Sequence, residues 1–172
     1  MRQIALKILT LGDGGVGKTT LLHRYVKGEF IDTTTMTIGV EFLTKEIEVS
    51  SKVCQLILWD ITGQERFRHM IDHYLKGASG ALILYDITSL KSFINIEKWV
   101  HLIKKFYERL PIILIAAKCD LQEFSNVNDI MAKNSQKRFG FINFIRTSSK
   151  TGLNIVQAFK VLTQQILKEK KF

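Results

Sequence analysis

Residues 12–19 read Gly-Asp-Gly-Gly-Val-Gly-Lys-Thr. They follow an apolar stretch, Ile4 to Leu11, and precede a helical pattern, Leu21-Leu22-x-x-Tyr25-Val26. In that strand–loop–helix setting, G-x-x-x-x-G-K-S/T means a phosphate-binding loop. The glycines let the loop curl so that successive backbone N–H groups point inward as an anion nest. The helix N-terminus adds its partial positive charge at the same place. Lys18 is expected to reach the β- and γ-phosphates and the Thr19 hydroxyl to ligate Mg²⁺. The candidate phosphate contacts are therefore Gly14, Gly15, Val16, Gly17, Lys18, Thr19 and Thr20.

Bulk properties set the limits around this loop. A chain of 172 residues suits one domain, read as 1–172, and 46% hydrophobic residues supply a substantial core. No run of ~18 apolar residues occurs, which argues against a membrane span. Met1-Arg2-Gln3 runs directly into a strand pattern, with no sign of a signal peptide. Cys54 and Cys119 are isolated, as expected of a reducing, cytoplasmic setting with buried, inert thiols. The net charge of +9 raises nucleic-acid and membrane readings. However, the basic residues are dispersed, so no specific nucleic acid is expected. The terminal Lys168-Glu169-Lys170-Lys171 suits a solvated helix end better than an anionic membrane surface.

Strand-like runs fall at 4–11, 39–49, 53–60, 80–86, 111–117 and 141–146, with helical patterns between most of them. Phe93, Ile96, Val100, Ile103 and Tyr107 form one helical stripe; Ile155, Phe159, Leu162 and Ile166 form another. The runs at 80–86 and 111–117 are apolar throughout, as parallel strands covered on both faces would be. Ser50-Ser51-Lys52 is too short for a crossover, so the runs it joins must pair as an antiparallel hairpin. The fold class is α/β: a three-layer, mostly parallel sheet with its site at the carboxyl ends of the strands.

Further motifs converge on the same chemistry. In Trp59-Asp60-Ile61-Thr62-Gly63-Gln64-Glu65, an Asp ending a strand is suited to hold Mg²⁺ through its water shell. Gly63 N–H is then free to meet a γ-phosphate oxygen, and Gln64 is placed to orient an attacking water. The threonine-rich loop from Phe30 to Gly39 offers a second Mg²⁺ ligand, Thr37, among four threonines that chemistry alone does not separate. Lys118-Cys119-Asp120 closes the run 111–117. A carboxylate there accepts from N1–H and the 2-amino group of guanine, which adenine lacks. The Lys118 stem can lie over the base. Ser148, Ser149 and Lys150 follow the sixth strand, where a backbone N–H would reach guanine O6. His69 and His73 have metal-compatible spacing but no evident third ligand, and read as surface residues.

The chain resembles a Ras-superfamily small GTPase over essentially its whole length, and most of all the Rab branch. The strings are Thr37-Ile38-Gly39-Val40-Glu41-Phe42, Leu58-Trp59-Asp60, Gly63-Gln64-Glu65-Arg66-Phe67-Arg68 and Tyr85-Asp86-Ile87-Thr88, with Trp99 behind. The resemblance implies a P-loop NTPase G domain with a six-stranded sheet, one strand antiparallel, and about five helices. It implies GTP/GDP as ligand with Mg²⁺, Thr37 as the switch I threonine, and Phe30 packed against guanine. It makes Gln64, Lys18 and Gly63 the catalytic set in a slow GTP hydrolase. Phe42, Trp59 and Tyr74 match the aromatic triad that Rab proteins present to effectors. Exchange factors, GTPase-activating proteins, vesicle transport, peripheral contact with membranes and a monomeric state are expected likewise.

Several departures qualify the match. The family motif Asn-Lys-x-Asp reads Ala117-Lys118-Cys119-Asp120 here. The missing amide would bond guanine N7 and tie this loop to the P-loop. Its loss costs about 1–3 kcal/mol, roughly 5- to 150-fold in affinity, so faster nucleotide exchange is expected. Asp-Thr-Ala-Gly becomes Asp60-Ile61-Thr62-Gly63, which puts a hydroxyl beside the γ-phosphate as a rival phosphoryl acceptor. Gly14 replaces a serine usual in Rab P-loops. The end, Lys170-Lys171-Phe172, has no C-a-a-X box. Ala117 and Thr62 motivate an alternative, a nucleotide-loaded scaffold that does not cycle.

Overall fold

The computed structural model describes residues 3–32 and 35–171. Six strands, β1 (Ile4–Leu11), β2 (Val40–Val49), β3 (Lys52–Ile61), β4 (Gly80–Asp86), β5 (Ile112–Ala117) and β6 (Asn143–Arg146), form one sheet ordered β2-β3-β1-β4-β5-β6. All neighbours pair in parallel except β2 with β3. The helices are α1 (Lys18–Lys27), α2 (Arg68–Leu75), α3 (Leu90–Ile94), α4 (Ile96–Lys104), α5 (Asp129–Phe139) and α6 (Ile155–Lys170). Two 3₁₀ turns, Glu65–Phe67 and Cys119–Phe124, complete the described elements.

The layers follow from strand alternation. Leu82 and Leu84 of β4 join a core with Leu21 and Tyr25 of α1 and Phe159 of α6. Ala81, Ile83 and Tyr85, pointing the other way, join Ile71 of α2, Trp99 of α4 and Ala132 of α5. Every residue of β4 and β5 is buried, in keeping with sequences that are apolar up to the closing Asp86 of β4. Tyr25 stacks on Phe159 with ring centroids 3.8 Å apart, fixing α1 against α6. Cys54 and Cys119 are free and buried, and burial pushes both thiols up.

Two details differ from the sequence reading. The stripe Phe93–Tyr107 is divided: α3 ends at Ile94, α4 starts at Ile96, and Tyr107 lies beyond it. Asn95 stands at the break, and its side chain turns to the P-loop. Tyr107 instead anchors the turn after α2, donating to Leu75 O at 2.5 Å and accepting from Ala78 N–H at 2.8 Å. With the stripe divided, the helices among the described residues number six, in keeping with the expected fold.

The sheet topology creates the site. Parallel β1, β3, β4, β5 and β6 end at one edge, bringing together the P-loop, Asp60, Asp86, Ala117 and Ser148. Antiparallel β2 begins where β3 ends, Val40 opposite Ile61. The loop carrying Thr37 therefore enters the same edge from the other direction.

Candidate functional site

Gly17 caps α1 with φ 102°, a left-handed conformation that suits a residue without Cβ. Lys18 folds back over the loop and is only 6% exposed. Its Nζ donates to Gly12 O at 2.7 Å and Asp13 O at 2.8 Å. Burial holds its pKa down at about 8, while the nearby charges of Asp60 and Asp13 pull the other way. A cavity of about 120 Å³ opens over this loop, lined among others by Gly14, Gly15, Lys18, Thr19, Thr37 and Gly63. Thr20, Gln64 and Lys118 reach it as well.

Behind this cavity lies an oxygen cluster. Thr19 Oγ1 donates to Asp60 Oδ2 at 2.5 Å, and Thr37 Oγ1 lies 2.8 Å from Thr19 Oγ1 and 3.5 Å from the same carboxylate. Asp60 is almost wholly buried, and its Oδ1 has no partner among the described residues. Burial pushes its carboxyl up, offset in part by the Thr19 hydroxyl and the Lys18 charge. One orphaned carboxylate oxygen beside two hydroxyls is a hard-oxygen donor set of the kind Mg²⁺ takes, with water and phosphate filling its remaining positions. Of the four loop threonines, Thr37 enters the cluster and Thr35 lines the cavity; Thr33 and Thr34 lie outside the described residues.

Gln64 bridges the two loops. Its Nε2 donates to Thr37 O at 2.8 Å, and its Oε1 accepts from Arg66 Nε at 3.1 Å. Thr62 is fully buried and does not line the phosphate cavity. Its hydroxyl accepts from Gln64 N–H at 3.2 Å, and its N–H donates to Gly39 O at 2.9 Å. Thr62 therefore shapes the turn before Gln64, and the expectation of a rival phosphoryl acceptor does not hold in this geometry. Gly63 packs on the P-loop so closely that a Cβ would lie 2.3 Å from Gly14 N.

A second cavity, about 300 Å³, shares Gly17, Thr20, Asp32 and Lys118 with the first, so the two form one cleft. Val16, Phe30, Ala117, Asp120, Ser149 and Lys150 line it. Ser148 stands behind rather than in the wall: its hydroxyl donates to Asp120 Oδ1 at 2.7 Å, and its N–H is spent on Leu153 O at 3.2 Å. The backbone donor expected from this turn thus falls to Ser149 or Lys150. Lys118 Nζ reaches Gly15 O at 2.8 Å and Asp86 Oδ2 at 2.7 Å. The loop-to-P-loop tie that Ala117 cannot make is carried by this lysine.

Some residues of the site escaped the sequence reading. Asp13 accepts from Asn95 Nδ2 at 2.6 Å and from Trp99 Nε1 at 2.9 Å, clamping the P-loop to α4. Asp86, at the end of β4, neutralises Lys118 at 2.7 Å. Met36 sits over the P-loop, its Cε 2.6 Å from where a Gly14 Cβ would be. The partners of Asp13 lie more than eighty positions away, so no spacing rule reveals them.

The aromatic residues quoted earlier also meet. Phe42 and Trp59 make an edge contact at 4.4 Å, and Trp59 lies 6.1 Å from Tyr74. Phe42 is 54% exposed.

A glycine-lined anion cradle, an adjoining oxygen cluster and a second cavity with a carboxylate on its wall define a P-loop nucleotide-binding domain of the G-domain class. A sequence model described as Ras family matches residues 7–168. Ras-related protein Rab-11B of Dictyostelium discoideum is 42% identical over 160 residues, covering 91% of this chain and 71% of that protein. GTP-binding protein YPTM1 of Zea mays is 37% identical over 95% of this chain and 79% of its own length. Ras-related protein Rab-13 of Bos taurus is 38% identical over 94% and 79%. The chain belongs to the Ras family, as a Rab-like small GTPase that binds and hydrolyses GTP.

Proposed function

We propose that the described cleft is the working site of this GTPase, a switch in membrane traffic, with roles assigned residue by residue. The amides of Gly14–Thr19 and the Lys18 ammonium hold the polyphosphate, and Asp120, fixed by Ser148, selects guanine. Thr19, Thr37 and Asp60 hold Mg²⁺, which when bound neutralises charge on the β- and γ-phosphate oxygens. Gln64 gives up Thr37 O to orient the attacking water. Gly63 presents its N–H to the γ-phosphate, and the P-loop amides with Lys18 stabilise the developing charge. Release of Thr37 and Gly63 after hydrolysis loosens both loops.

The convergence of Thr19, Thr37 and Asp60 within 3.5 Å carries this reading, because it gathers hard oxygen donors from three distant segments beside the P-loop. The non-cycling scaffold would keep the same cluster, and following the conversion of bound GTP over hours separates it from the cycling switch. Arg66 is engaged by Gln64, and Arg68 lies over the Trp99 ring at 5.4 Å. With neither arginine committed to the phosphates, a partner is expected to add on the order of 10³–10⁵ in rate. Effectors dock on Phe42, Trp59 and Tyr74, exchange factors and GTPase-activating proteins act on the switch loops, and the chain works as a monomer. Membrane contact, where it occurs, is peripheral as in Rab-type relatives; among the described residues no helix is long and apolar enough to cross a membrane.

Gln64→Leu tests the assignment. Single-turnover GTP hydrolysis should slow by about tenfold or more, the worth of roughly 1.4 kcal/mol of lost transition-state contact. GTP affinity should stay unchanged. Undiminished hydrolysis removes Gln64 from the mechanism.

A further inference from the structure

At Gly14 the P-loop uses glycine for space rather than for conformation. Gly15 and Gly17 have positive φ, 81° and 102°; Gly14 does not, so its backbone does not itself demand glycine. What a Cβ there would meet is the methyl of Met36, with Cε at 2.6 Å. The Gly63 carbonyl carbon and Gln64 Cγ lie at 3.9 and 4.0 Å from the same point, ordinary contact distances. Among the described residues, Met36 is therefore what fills the space. The serine usual at this point in Rab P-loops would put its Cβ where that methyl lies.

Met36 comes from the loop that carries Thr37, and it lines the phosphate cavity with Gly14, Gly63 and Gln64. It is 46% exposed, an apolar side chain reaching across the cleft rather than buried in a core. An unbranched thioether has the reach and adaptability for such a contact. Thr37, one residue on, has its hydroxyl 2.8 Å from Thr19 Oγ1, and its carbonyl accepts from Gln64 Nε2 at 2.8 Å. Both contacts need this loop held against the P-loop.

We propose that Met36 is a positioning residue: its methyl, seated on Gly14, latches the Thr37 loop over the phosphate cavity and slows escape of the nucleotide. Gly14 and Met36 are a matched pair, one small because the other is long. A side chain at position 14 displaces only the free end of a flexible side chain, so the methyl swings out and the latch opens without strain in the loop. Gly14→Ala and Met36→Ala thus remove the same contact from opposite sides. The contact stands by itself; its effect on release rests on the guanine-nucleotide reading above.

The test is a double-mutant cycle on the full chain, read by release of a fluorescent GDP. Each single variant should speed release by about three- to fourfold, the worth of one buried methyl group. The double variant should be no faster than either single one. Single variants that release at the wild-type rate, or a double variant faster by the product of the two effects, about tenfold or more, overturn the proposal. A second readout needs no nucleotide. With isotope-labelled methionine methyl groups, the Met36 signal is the one lost in Met36→Ala. It should move in Gly14→Ala, while the signal of Met131, packed against the core of Trp99 and Ala132, stays in place and shows the variant folded. An unmoved Met36 signal overturns the latch whatever the nucleotide does. A folded chain that binds no GDP overturns the guanine-nucleotide reading and with it the effect on release; the methyl signal still decides the contact.

Discussion

Lys18 shows how burial and function meet in one side chain. Its pKa near 8 reflects a charge held out of water and offset only in part by Asp60 and Asp13. Phosphate oxygens favour the ammonium form, so its pKa must rise when nucleotide binds. Binding then takes up a proton at pH values above about 8, and GDP affinity falls as pH rises through that range. Calorimetry just above pH 8 in two buffers of different ionisation heat should give different apparent enthalpies; identical heats would exclude the coupling. Asp13 is the other instructive residue. Asp13→Asn places an amide N–H against a donor, either Asn95 or the buried Trp99, and removes a charge-assisted bond worth about 1.5–3 kcal/mol. GDP release should quicken by about tenfold or more as the cradle loosens. An unaltered off-rate would mean the clamp to α4 does not shape the P-loop.

Among the elements, the β2–β3 hairpin carries a visible strain. Val49 pairs with Lys52, leaving a two-residue turn whose Ser50 and Ser51 both have positive φ, 52° and 60°. That is the type I′ geometry, which Asn-Gly adopts far more readily than Ser-Ser. Replacing both, Ser50→Asn with Ser51→Gly, should stabilise the protein by about 0.5–1 kcal/mol. The thermal midpoint should rise by about 1–4 °C for a chain of this size. A fall in the midpoint would show that the serines make contacts the glycine cannot replace. The hairpin itself was legible from its linker length, because no crossover fits in so few residues. The break at Asn95 was not, because the stripe from Phe93 to Tyr107 has unbroken helical spacing. The amide at that break reaches Asp13, a partner outside the segment.

At the scale of the whole molecule, the distance between layers is set by glycine as well as by large side chains. A Cβ on Gly80 would lie 2.8 Å from Ile166 Cδ1 and 3.0 Å from Leu162 Cδ1, so α6 rests directly on the start of β4. Gly80→Ala should cost about 1–3 kcal/mol through overpacking, read by denaturant unfolding with GDP bound. Stability equal to wild type would show that both side chains turn aside freely. The same close packing makes the site a property of the sheet. Five parallel strands deliver their carboxyl ends to one edge, and a displacement of α6 or α4 reaches the P-loop through Tyr25–Phe159 on one face and Trp99–Asp13 on the other.

Local order along the chain was enough to single out the P-loop, the alternation of strands and helices and the hairpin, and to put forward Lys18, Asp60, Gln64 and Asp120 as the chemical groups. These rest on short-range physics: glycine conformations, hydrophobic period, and donor or acceptor type. Tertiary structure alone decided that Thr62 is sealed inside, that Ser148 orients Asp120, and that Asp13 is gripped by Asn95 and Trp99; it also brings Thr37, which the resemblance had named, to Asp60. Those outcomes depend on which strand ends lie side by side, and that is fixed by packing both faces of the sheet at once.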